Sequence, residues 1–178
     1  MFATIITRFN LLLIIATFSS LLIACEGGNA DRPCMGGEPT AIFEGIDAFE
    51  EHSFEQRGQE SVEKIEVPDM NMDIELYQSG CDRIEQEFRI LLHEAYELNT
   101  PAKVCALHFA NILTILSEKD VQKLGTLQQW ANAVRADAER MQYNEKIQLS
   151  NSNIYVQIDK THQTDAAILT VVFSQSSE

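Results

Sequence analysis

Two stretches near the carboxyl end alternate so strictly that they leave little choice of architecture. Ile154, Val156 and Ile158 are interleaved with Tyr155, Gln157 and Asp159. After a polar turn at His162 to Asp165, Ala167, Leu169, Val171 and Phe173 alternate again. Strand side chains point to opposite faces with a period of two, so the pattern predicts a hairpin with one apolar and one wet face. An earlier stretch repeats it, with Met70, Met72, Ile74 and Leu76 on one side and Asn71, Asp73, Glu75 and Tyr77 on the other. Half-apolar strands need a cover.

Helical spacing between these strands supplies one. Asn99-Thr100-Pro101 is a helix start, with Thr100 as cap and Pro101 in the first turn. Cys105, Phe109, Ile112, Leu113 and Leu116 then form an apolar stripe. Gly125 ends this region, Thr126 with Gln129 makes a capping box, and Leu127, Trp130, Val134, Ala138 and Met141 recur at helical spacing. A further helix is predicted over Thr40 to Arg57, from Ile42, Ile46 and Phe49, with Gly58 placed to stop it. Residues 82–98 fit two patterns. Ile84, Phe88, Leu91, Leu92 and Tyr96 suit a helix capped by Asp82 and Glu85, whereas Ile84, Phe88, Ile90 and Leu92 suit one strand face. The turn at Gln78-Ser79-Gly80 favours the strand. The expected class is α+β, an antiparallel sheet of about four strands with helices packed on one face.

The amino end carries a different kind of signal. Arg8 is the only charge before the apolar run from Leu11 to Ala24. A membrane-spanning helix needs about 20 predominantly apolar residues. This run is shorter and contains Thr17, Ser19 and Ser20, which favours a cleaved export signal. It ends in Leu22-Ile23-Ala24-Cys25, which resembles the lipobox of bacterial lipoproteins. The resemblance implies cleavage before Cys25, a diacylglycerol on its thiol and a fatty acid such as palmitate on the new amino terminus. Stable anchoring requires several acyl chains, and this modification provides them. Glu26, rather than aspartate, follows the cysteine. In enterobacterial-type lipoproteins that implies delivery to the outer membrane, with the domain facing the periplasm. Residues 1–24 are then the signal, 25–39 a glycine-containing tether, and 40–178 one domain.

Three cysteines remain for the oxidising periplasm, and three pairings are open to them. Cys34 and Cys81 sit in loop and turn sequence and are the favoured disulfide, leaving Cys105 buried as a small hydrophobe.

With Arg8 removed, 12 basic residues face 27 acidic ones, a net charge of −15. Such a field repels nucleic acid and suits a basic protein partner or plain solubility. Candidate chemistry is thin. His93-Glu94-Ala95-Tyr96-Glu97 lacks the second histidine of a zinc helix. Asp69-Met70-Asn71-Met72-Asp73 lacks the glycine and closing glutamate of a calcium loop. Cys105 and His108 share a helix face, but a cysteine in an apolar stripe is more often packing than a nucleophile. No catalytic residues, cofactor or metal are expected. The expected function is that of a lipid-anchored, non-catalytic envelope lipoprotein, structural or protein-binding. The alternative is an inhibitor or immunity-type lipoprotein that neutralises a basic protein.

Overall fold

Seven strands form one antiparallel sheet in the order β1-β2-β3-β4-β7-β6-β5. They are β1 Glu50–Arg57, β2 Glu60–Val67, β3 Met72–Ser79, β4 Arg83–Leu92, β5 Lys146–Gln148, β6 Ile154–His162 and β7 Ala167–Ser176. Helices α1, Ala102–Lys119, and α2, Val121–Asp137, lie between β4 and β5 in the chain. The computed structural model describes residues 38–80, 83–92, 99–162 and 166–176.

The alternation is obeyed where it is strongest. Met72, Ile74 and Leu76 of β3, Phe88 and Ile90 of β4, and Leu169, Val171 and Phe173 of β7 are all buried. Segment 82–98 therefore contributes a strand, and β3 and β4 form the hairpin, with Ile74 opposite Ile90 and Leu76 opposite Phe88. The C-terminal hairpin of β6 and β7 is also present, with Val156 opposite Phe173.

Both helices cover the same inner face. Phe109 of α1 meets Phe88 edge-on at 5.6 Å, and Trp130 of α2 stacks on Phe173 at 4.7 Å. Ring pairs of this kind add roughly 0.5–1.5 kcal/mol beyond the area they bury. Cys105, Phe109, Ile112, Leu113 and Leu116 are fully buried, as the stripe required.

Four expectations are corrected. The sheet has seven strands, not about four, because β1, β2 and β5 are too polar or too short to show an apolar face. No helix forms over 40–57. Residues 40–49 instead make an irregular strap that buries Phe43, Ile46 and Phe49, and Glu50–Arg57 is an edge strand. Gly45 has φ +69°, outside the helical region, and Gly58 at φ +64° opens the two-residue turn into β2. Finally, α2 runs straight through Gly125. Its cap is Asp120, whose carboxylate accepts from the amides of Gln122 and Lys123, not Thr126. α1 starts after Pro101 with no side-chain cap, so Thr100 does not serve as one.

Candidate functional site

With the helices and the strap on the inner face, the outer side chains of the sheet meet solvent. Register places them in rows across the strands. Lys64, Glu75 and Arg89 stand opposite one another on β2, β3 and β4. Lys64 Nζ donates to Glu75 Oε1 at 2.5 Å, and Tyr77 Oη donates to Glu75 Oε2 at 2.8 Å. The Arg89 guanidinium lies 4.1 Å from the centre of the Tyr77 ring. The hydrogen bond from Lys64 holds the Glu75 carboxyl below its ordinary value against the opposing effect of burial. Burial, then the bond to Glu75, pushes the Tyr77 phenol up, so it remains a donor. The result is a row of alternating charge beside an aromatic ring on the outer face of the sheet.

Beside it, a groove of about 520 Å³ runs over β1, β2 and β3, lined by Ser53, Glu55, Arg57, Glu60, Val62, Lys64, Tyr77 and Ser79 among others. One row beyond Lys64, three acids face one another: Glu50 opposite Glu66, and Glu66 opposite Asp73. Like charges placed directly opposite destabilise a sheet.

Two buried carboxylates tie irregular segments to the regular elements. Glu63 is 0% exposed, on the inner side of β2 with Ile65 and Val67. Its Oε2 accepts from the Ile42 amide and its Oε1 from the Phe43 amide, both at 2.8 Å, and His52 Nε2 lies 2.8 Å from Oε1. It thereby fastens the strap to the sheet. Gln78 helps by donating to Thr40 O at 2.9 Å, and Lys123 Nζ donates to Glu44 O at 2.9 Å. At the other end Asp137 accepts from the Ser150 amide and hydroxyl and from Arg140. Burial raises the Asp137 carboxyl, but these donors outweigh it and leave the group below its ordinary value. Sequence reading missed Glu63. The signal was present, since Glu63 is the single charge on the face it shares with Ser61, Ile65 and Val67.

The residues singled out from sequence are dispersed. Cys25, Cys34 and Cys81 lie outside the described residues, as do His93, Glu94 and Glu97. Asp69 belongs to a 3-10 turn, Pro68–Met70, and accepts from Lys119 at 2.8 Å, while Met72 and Asp73 open β3. Cys105 is buried, with its Sγ 3.0 Å from Tyr143 Oη, and that phenol donates to Thr100 O at 2.7 Å. Burial, then the Cys105 contact, raises the Tyr143 phenol well above its usual range. Burial lowers the His108 imidazole. Glu50 and Glu51 are exposed at the start of β1. Among the described residues no group of three or more His, Cys, Asp or Glu could hold a metal ion. No helix there is long and apolar enough to cross a membrane. Neither a family model, nor a curated protein, nor a solved structure matches the chain.

Proposed function

We propose that the chain is a lipoprotein held at the outer membrane through lipid on Cys25, with a periplasmic domain that binds another protein without catalysis. The observation that carries the binding reading is the outer sheet face. Its groove, the Tyr77–Arg89 contact and the Lys64–Glu75 pair bring apolar and charged groups together in one patch, and this supports a protein-binding reading. The test is capture on the full chain from detergent-solubilised envelopes, repeated with Tyr77→Ala. A partner lost with that substitution supports the reading, and one retained equally by both would refute the assignment to this face.

The row of Glu50, Glu66 and Asp73 supports the second reading, neutralisation of a basic protein. A basic partner would offset their mutual repulsion, and its approach would be steered by the field of the acidic domain. Screening at physiological ionic strength acts over about 8 Å. Association should therefore slow as salt rises and slow further with Glu66→Lys plus Asp73→Lys. A rate indifferent to both removes this reading and leaves the first.

A further inference from the structure

The two edges of the sheet differ sharply. β5 is three residues long, whereas β1 is eight residues long and exposed at every position except Phe54, which is partly buried. Among the described residues only β2 pairs with β1, so one side of its backbone ladder is open. An open edge of this length is a template for another strand. We infer that β1 is a self-pairing edge, joining two copies of this chain antiparallel into one continuous sheet about a two-fold axis at Phe54.

The choice of occupant follows from where the charges lie. Glu50 stands at one end of β1 and Arg57 at the other, and their side chains share the outer face, opposite Glu66 and Glu60 of β2. Glu51 has φ +49° and falls where the β1–β2 register shifts, so the bulge takes up one extra residue. In an antiparallel pair centred on Phe54, the phenylalanine therefore meets its own copy and Ser53 meets Glu55. With the bulge absorbed, Glu50 meets Arg57 at both ends. A uniformly basic strand would instead set a cation against Arg57 and a polar chain against Phe54. Among the described residues the Arg57 side chain bonds within its own strand, to Glu55 at 3.3 Å, with the two side chains 86% and 72% exposed. Pairs so exposed contribute little and exchange readily. The centre of the axis is a non-polar contact and the periphery two opposite-charge pairs. Because the outer faces then lie on the same side, the groove over β1–β3 adjoins its copy.

Self-pairing also separates from basic-partner binding by its salt response. Without the signal each copy carries 12 basic and 27 acidic residues, a net charge of −15, so the two repel at a distance and added salt favours their approach. Lipid anchoring would confine both copies to one surface and raise their effective concentration.

The experiment uses the full chain in the bacterial envelope, with Phe54→Cys as the probe, because the axis brings position 54 onto itself within disulfide reach. Oxidation should give a covalent dimer whose digest contains a bridge between the two position-54 thiols. Gln148→Cys, on the opposite edge, should give none above the unmutated chain. Arg57→Glu in the Phe54→Cys background should cut the dimer about tenfold, and adding Glu50→Arg should restore it. Position 57 is exposed enough to leave the fold intact. Should Phe54→Cys accumulate poorly, sedimentation of the unmutated chain in detergent at rising salt reads the same equilibrium, and a dimer lost with Arg57→Glu supports the pairing. A Phe54→Cys yield no higher than Gln148→Cys, failure of the double reversal to rescue, or a monomer at all salt concentrations overturns it.

Discussion

Replacing Glu63 with alanine should release the strap and leave the rest of the domain folded. The strap is ten residues, 40–49, without regular structure. Ordering ten backbone residues costs about 10–20 kcal/mol. Burying Phe43, Ile46 and Phe49 returns only about 5–9 kcal/mol. The strap therefore stays down because its backbone groups are bonded, and Glu63 accepts two of the four side-chain bonds that reach them. Hydrogen bonds to a charged group are worth about 1.5–3 kcal/mol each. Removing both forfeits about 3–6 kcal/mol, more than the balance can absorb. Amide exchange is the assay. In the Glu63→Ala variant the amides of Ile42 and Phe43 should lose protection by at least tenfold, while those of Ile74, Phe88 and Leu169 keep theirs. Glu63→Gln, whose amide keeps one acceptor oxygen, should lose less. Protection at Ile42 and Phe43 unchanged from the parent would show that apolar packing alone holds the strap and would refute this reasoning.

Asp137→Ala removes the acceptor of the Ser150 amide and of Arg140 and should destabilise by about 1.5–3 kcal/mol in urea melts. Because the Asp137 carboxyl is held below 3.8 in the folded state, its contribution is complete above that value. It drains as pH falls from there through the depressed folded value, so Asp137→Asn should flatten the acid limb of the stability profile. Cys25→Ser should abolish both fatty-acid labelling and membrane fractionation, and persistence of both would end the lipoprotein assignment. A Cys34–Cys81 bridge should appear in the unreduced digest and contribute roughly 2–4 kcal/mol. A peptide joining either one to Cys105 would overturn that pairing.

Legibility followed how completely a segment is governed by its own apolar pattern. The α1 stripe from Cys105 to Leu116 and the faces of β3, β4 and β7 are solved by local periodicity, since each buries one side. β1 could not be read this way, because an edge strand needs neighbours rather than an apolar face, and seven of its eight residues are exposed. Ile42, Ile46 and Phe49 have helical spacing, yet the Ile42 and Phe43 amides are held by a carboxylate about twenty residues further on, Glu63. Gly125 reads as a stop in isolation, yet Asp120 already satisfies the first amides of α2 and the helix continues through it. Of the candidate surface, the alternation of β3 exposed Glu75 and Tyr77. Their partners Lys64 and Arg89 required register that only the assembled sheet supplies.

The strand order has a consequence for how the chain reaches this state. β1 to β4 form a meander of successive neighbours, and β5 to β7 form another, but the two meet only where β4 pairs with β7. That seam joins residues 75 to 93 positions apart, from Leu92 with Ala167 to Arg83 with Ser176. Closing so long a loop is entropically slower than zipping adjacent hairpins. On contact order, the seam is expected to close after the hairpins on either side of it. Until it does, β4 is an unprotected edge and Phe88 lacks Phe173, so the interval before β7 arrives is when the chain is most prone to aggregate.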